Sequence, residues 1–284
     1  MVVLVTGAAG QLGRALQHQA FGYPGLTFVF CDAQMLDITN KAQTESVFSH
    51  YRPAYCINTA AFTRVDDAES EPGKAHLVNS TGVRNLAVVC RDFDVTLVHL
   101  STDFVFDGNA EIPYQESCPT HPSGVYGQTK LEGEDAIRET MTRYFIIRTS
   151  WVYSDFGHNF KQTILRLAGE RDAISVVDDQ IGSPTHALDL AEALLEMIVQ
   201  SMHWTSDTRF GTYHFSNEGQ CSWYEFARAI VDAYKSPVSI LPIKTSQYPT
   251  KAKRPQYSVL DKSKIKRTFG LAISSWQESL KKHA

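Results

Sequence analysis

The stretch Val2-Val3-Leu4-Val5-Thr6-Gly7-Ala8-Ala9-Gly10-Gln11-Leu12-Gly13 decides the fold. Its first part is a short, mostly β-branched apolar run. Its second part holds three glycines and opens into a helical pattern with Leu12, Ala15 and Leu16 on one face. Strand, tight turn and helix start therefore follow one another. Gly7 permits the turn, Gly10 lets a ligand approach the backbone, and Gly13 lets helix and strand pack closely. A helix opening there presents unpaired N–H groups, which suits the pyrophosphate of a dinucleotide. The same glycines at this spacing also make an ordinary turn, so their position after the first strand is what gives the motif weight.

Outward from this stretch, apolar runs alternate with helical segments. Runs at Leu26–Cys31, Ala54–Asn58, Val95–Ser101 and Tyr144–Thr149 read as further strands. Between them, Thr39 or Asn40 can cap a helix that ends at Pro53, Pro72 starts a long helix, and Gly124–Thr142 forms another. This alternation predicts an α/β protein with a doubly wound, Rossmann-like parallel sheet. After about residue 150 the pattern changes. Helices at about 158–170, 186–201, 222–235 and 274–282 mix with short runs at Ile174–Val177, Thr212–Phe215 and Val238–Leu241, and prolines cluster. The expected division is a dinucleotide-binding domain over 1–150. A smaller, mixed α/β, mainly substrate-binding domain then covers 151–284, with some segments returning to the sheet.

Composition narrows the function. The 284 residues suit one or two globular domains. Twenty-seven Lys and Arg against 31 Asp and Glu give a net charge of −4, which excludes a general grip on nucleic acid. No apolar run approaches the ~20 residues that span a bilayer, and no signal peptide is evident. The five scattered cysteines form no C-x-x-C pair and read as free thiols of a cytoplasmic protein.

Two groups of polar residues point to chemistry. Asp32 ends the second strand, where a carboxylate can bind ribose hydroxyls and favour NAD; a solvated strand-end acid is the plainer alternative. Arg14 can instead meet a 2′-phosphate, so NADPH and NADH both remain open. Asp37, followed by Ile38, suits either the adenine ring or the start of the next helix. Further on, Tyr126 and Lys130 share one helix face at a spacing of four, and the fourth strand runs straight into Thr102-Asp103. Reducing a carbonyl by hydride makes an alkoxide that needs a proton. A phenol with a pKa near 10 can supply it when an ammonium lowers that pKa. Tyr126, Lys130 and Thr102 form such a set. Alone, the Tyr–Lys pair is equally a packed ring and a solvated charge.

The whole chain resembles the extended short-chain dehydrogenase/reductases and, among them, the dTDP-4-dehydrorhamnose reductase family. The resemblance is carried by TGAAGQLG at 6–13, NTAAFTRVDDAE at 58–69, STDFVFDG at 101–108, YGQTKLEGE at 126–134, RTSWVY at 148–153, DQIGSPT at 179–185 and KRPQYSVLD at 253–261. It implies reduction of the 4-keto group of dTDP-4-dehydro-β-L-rhamnose by NADPH or NADH, with Tyr126, Lys130 and Thr102 catalytic. It implies cofactor contacts at Gly7, Gly10, Gln11, Leu12, Gly13, Asp32, Asp37, Ile38, Ala61, Phe62, Thr63, Tyr126 and Lys130. Thr102, Asp103 and Trp151 match positions that meet the sugar nucleotide. An indole there can stack on a sugar or base. Arg254, in a small basic loop, can fork onto a diphosphate or simply be solvated.

Two departures carry consequences. Where some members hold Mg²⁺ through glutamates at a dimer interface, this chain has Ala15 and Leu188, so no metal is expected. The chain is then expected as monomer or homodimer, without that interface. The family's usual tyrosine in STDYVFDG is Phe104. Two alternatives share the fold: a non-catalytic regulatory subunit of the methionine adenosyltransferase type, and another nucleotide-sugar reductase or epimerase. The intact Thr102/Tyr126/Lys130 set argues against the first. A dehydratase needs a second acid beside Thr102, which Asp103-Phe104 does not provide, and His99 or His186 are the remaining acid/base candidates for an epimerase.

Overall fold

The computed structural model describes residues 1–204 and 207–284. Five strands occupy the expected runs: β1 (Val2–Thr6), β2 (Thr27–Cys31), β3 (Tyr55–Asn58), β4 (Thr96–Thr102) and β5 (Tyr144–Thr149). A sixth, Gly211–His214, pairs with β5. All pairings are parallel, and the order across the sheet is Gly211–His214, β5, β4, β3, β1, β2. The chain steps from β1 to β2 on one side and then crosses to β3 on the other. That reversal opens a crevice beyond the carboxyl ends of β1 and β3.

Helices cover both faces: α1 (Gln11–Gln19), α2 (Lys41–Tyr51), α3 (Val65–Ser70), α4 (Pro72–His76), α5 (Val83–Asp92), α6 (Val125–Thr140), α7 (Phe160–Ala168), α8 (Ala187–Ser201) and α9 (Trp223–Ala233). Alternate residues of each strand feed two cores, as a sheet buried on both faces requires. Val3, Val5, Phe145 and Ile147 pack with Leu16 of α1 and Leu190 and Leu194 of α8. Leu4, Cys56, Leu97 and Ile146 pack with Phe48 of α2, Leu86 and Val89 of α5, and Ile137 of α6. Ala15 is buried in the first core, and Leu188 packs on it. A third core joins α7 and α9 to Ala173–Val177, which pairs in parallel with Ser239–Ile243.

Local differences from the sequence reading have physical causes. Asn40, not Thr39, caps α2 by accepting from Gln43 N. The long helix expected from Pro72 is interrupted by a π-helical turn at Leu77–Gly82. A shorter helix, α3, precedes it; Asp66 and Asp67 in its first turn suit the positive end of a helix although its six residues show no apolar period. Cys31, Cys56, Cys90 and Cys221 are buried free thiols, and Cys118 is half-buried. Among the described residues no helix is long and apolar enough to cross a membrane.

Candidate active site

A cleft of about 910 Å³ runs from the glycine loop to the third core. Gly7 sits at φ +64°, and a Cβ there would lie 2.6 Å from Ala60 N on the neighbouring strand's exit. A Cβ on Gly13 would lie 2.6 Å from the Ala8 backbone, so both positions need glycine. Gly10 caps α1 with no side chain to satisfy the first turn. Gly10, Gln11 and Leu12 line the cleft beside those free N–H groups. This bare, anion-ready cradle fits a dinucleotide pyrophosphate. Gln11 itself is tied across the cleft: its Nε2 donates to Val152 O at 3.1 Å, and its Oε1 accepts from Ser154 Oγ at 2.9 Å.

Around the cradle the expected contacts divide. Ala61 and Thr63 line the cleft. The Phe62 backbone is clamped by Asn79, which accepts from its N–H at 2.8 Å and donates to its carbonyl at 3.0 Å. Asn79 is fully buried within the π-helical turn, and it also donates to Thr129 of α6 at 3.2 Å. Asp32 is exposed and closes its own turn, accepting from Gln34 N and Met35 N at 3.0 and 2.9 Å. Asp37 likewise accepts from Thr39 N and Thr39 Oγ1. The Ile38 side chain is buried against Gly82 in the second core, so only its backbone can meet a ligand.

The same cleft carries the polar set. Thr102, Asp103, Tyr126 and Lys130 all line the cleft. Thr102 Oγ1 donates to Asp103 Oδ1 at 3.0 Å and accepts from Phe104 N at 3.2 Å. Burial pushes the Asp103 carboxyl up to about 6, against hydrogen bonds from Ser258 and Thr102. Burial also pushes the Tyr126 phenol up to about 12; a hydrogen bond with Thr102 opposes this and the Asp103 charge adds to it. The Phe104 ring meets Tyr126 edge-on, with centroids 5.6 Å apart. Lys130 is 2% exposed, and burial pulls its amine down to about 8 while Glu134 acts to raise it.

One expectation is corrected here. The sequence reading has the Lys130 ammonium lowering the Tyr126 phenol. Instead the amine turns to the Leu100 carbonyl at 2.5 Å, with His99 Nε2 3.4 Å away, and the phenol is raised. The cause is tertiary: β4 offers a buried acceptor that helix spacing does not reveal.

Trp151 and Arg254 also line the cleft. Trp151 takes a left-handed backbone, φ +48°. Its indole stacks on Trp223, with centroids 3.5 Å and planes 9° apart. Arg254 Nη2 donates to Asp66 Oδ2 at 2.5 Å, and its guanidinium stands 6.0 Å from the Phe104 ring centroid. Trp223, Asn79 and Asp66 are the site residues that sequence reasoning missed. Asp66 stands within the quoted segment 58–69, and Trp223 directly follows Ser222, the N-cap of α9.

Sheet order, a glycine turn at the switch point and the Thr102/Tyr126/Lys130 wall define a dinucleotide-fold protein of the short-chain dehydrogenase/reductase class. The family described as RmlD substrate binding domain matches residues 1–284, and the chain belongs to it. The dTDP-4-dehydrorhamnose reductase of Aggregatibacter actinomycetemcomitans is 41% identical, covering 98% of this chain and 97% of the relative. The spore coat polysaccharide biosynthesis protein SpsK of Bacillus subtilis is 41% identical, over 99% of this chain and 96% of its own. The crystal structure of dTDP-4-dehydrorhamnose reductase from Bacillus anthracis in complex with NADP superposes with a TM-score of 0.93 at 40% identity, over 99% and 98% of the two chains.

Proposed function

We propose that the protein reduces the 4-keto group of dTDP-4-dehydro-β-L-rhamnose to give dTDP-L-rhamnose, using NADPH or NADH. The observation that carries this reading is that Thr102, Tyr126 and Lys130 line the same cleft as the bare glycine cradle. Relatives bearing the reductase name over nearly the full chain support it. Residues 1–150 then mainly hold the dinucleotide, and 151–284 mainly the sugar nucleotide. The work belongs in the cytoplasm, as a monomer or homodimer.

When bound, the dinucleotide supplies the hydride. The chain's own groups handle the oxygen that becomes an alkoxide. Tyr126 gives it a proton, and the Thr102 hydroxyl turns from Asp103 to steady it. A phenol held near 12 is a reluctant acid toward water but a competent one toward an alkoxide, which is far more basic. Trp151, stacked on Trp223, offers a flat face to the sugar or base. Arg254 exchanges Asp66 for the diphosphate.

The test couples the protein to dTDP-glucose and the two upstream enzymes that convert it, and follows cofactor absorbance. Oxidation of NADPH or NADH that falls by ~10²–10⁴-fold in Tyr126→Phe is expected. No turnover by a well-folded protein would overturn the proposal.

A further inference from the structure

His99 sits in β4 beside Lys130 and is fully buried. Its ring nitrogens face different partners: Nδ1 lies 3.0 Å from Asn58 Nδ2, and Nε2 lies 3.4 Å from Lys130 Nζ. The orientation of Asn58 decides where the ring carries its proton. Asn58 Oδ1 accepts from Thr6 Oγ1 at 2.6 Å and from the Ala60 backbone N–H at 3.2 Å. A backbone N–H only donates, so the oxygen must stand on that side and Nδ2 must face His99. Nδ2 in turn only donates, so His99 Nδ1 accepts and is bare. Burial and the neighbouring Lys130 charge hold the imidazole well below its usual range, so the ring is neutral. Its single proton is therefore on Nε2, aimed at Lys130.

Lys130 Nζ thus has one buried acceptor, Leu100 O, and one buried donor, His99 Nε2. An ammonium has three N–H groups and no lone pair, so it cannot use that donor. A neutral amine has a lone pair that accepts from it. The other charged groups around Lys130 do not reverse this. On α6, Glu134 is one turn away but is taken up by Arg148 at 2.7 Å and Ser101 Oγ at 2.5 Å, with Arg138 also on it. Tyr126 stands one turn the other way as a neutral phenol. From the end of β4, Asp103 faces Thr102 and Ser258.

We propose that His99 is a positioning residue for Lys130: its Nε2–H holds the amine's neutral form and leaves the ammonium's spare protons no outlet but the cleft. This rests on the reductase reading. There, Tyr126 gives its proton to the substrate oxygen and becomes a phenolate. The Lys130 ammonium returns one proton to the phenolate through hydroxyls or water in the cleft. The resulting amine accepts from His99 Nε2–H until solvent restores the ammonium. His99 ends each cycle unchanged.

Nitrogen-15 NMR of the full-length protein carrying labelled histidine tests the tautomer directly. A bare Nδ1 and a protonated Nε2 for His99 are expected; the reverse tautomer, or a doubly protonated ring, overturns the proposal. A second measurement uses His99→Asn, which keeps an acceptor for Asn58 and removes the donor to Lys130. The alkaline limb of the kcat profile is expected to move to higher pH and kcat to fall roughly tenfold, the worth of one hydrogen bond between neutral partners, with KM little changed. A lowered melting temperature with an unmoved limb means a packing role and overturns it. If the variant does not fold, the wild-type spectrum decides. Absent turnover with the expected tautomer would sink the reductase reading instead.

Discussion

Glu69 Oε1 accepts a hydrogen bond from Val125 N at 2.8 Å, so a carboxylate in α3 caps the helix that carries Tyr126 and Lys130. Gly124, the N-cap residue of α6, has no side chain to do this, and a Cβ there would lie 2.7 Å from the same carboxylate oxygen. The negative group also suits the positive end of the helix. The placement of Tyr126 therefore depends on α3, which follows the loop leaving β3 at the crevice.

Removing that cap should cost stability and turnover together. Glu69→Ala is expected to lose about 1–2 kcal/mol in chemical denaturation, the usual worth of an N-cap. It should lower kcat more than it raises KM, because Tyr126 is displaced from the reacting oxygen. Glu69→Gln keeps an acceptor and should recover most of both. Equal losses in the two variants would mean that charge, not the hydrogen bond, does the work.

Asp103 makes an opposite contribution. Its carboxyl is raised to about 6 by burial, so the folded protein binds that proton more tightly than the unfolded chain does. The cost of keeping it ionised is absent below about pH 4 and grows as pH rises, reaching its full value above about pH 6, on the order of 2–3 kcal/mol. Asp103→Asn should therefore be more stable than the natural protein at pH 8, with the gain vanishing toward pH 4.5. Denaturation at the two pH values checks the sign. Cofactor oxidation by the variant should fall, since Thr102 loses its charged partner.

Much of this was legible in the sequence because buried parallel strands are continuous apolar runs. Val2–Thr6 and Tyr144–Thr149 need no tertiary information to be read. Tyr126 and Lys130 were legible for a similar reason: helix spacing puts them on one face. What escaped depends on contacts far apart in sequence. Asn79 clamps Phe62 only because a π-helical turn redirects it, and a 3.6-residue period does not show such a turn. Glu69 and Val125 are 56 residues apart. The direction of the Lys130 amine is set by β4, so its expected effect on Tyr126 does not appear in the folded chain.

Arg254 offers a test of the cleft's charged lining. Its guanidinium is held by Asp66 within reach of the Phe104 ring, in a partly exposed pair of small worth to stability. Arg254→Ala should change the melting temperature little and raise KM for the sugar nucleotide about tenfold or more. Arg254→Lys should recover only part, because a point charge cannot fork onto two oxygens. Dissociation constants for NADPH should be the same in all three proteins. A matching loss of cofactor affinity would place Arg254 on the other ligand.

Gly182 completes the mount of Trp151. The indole lies between Trp223, stacked at 3.5 Å, and the bare backbone of Gly182, where a Cβ would fall 2.5 Å from the ring. That ring cannot yield easily, since Trp223 blocks its other face and its own backbone is held at φ +48°. Gly182→Ala should therefore tilt the indole into the cleft rather than away from it. The expected result is a KM for the sugar nucleotide raised at least several-fold, the scale of losing one aromatic contact worth about 1 kcal/mol. Fluorescence of the tryptophan pair should shift in the same variant. Binding of NADPH should stay as it was. Unchanged kinetics with shifted fluorescence would show that the indole moves without touching substrate, and would remove Trp151 from the sugar site.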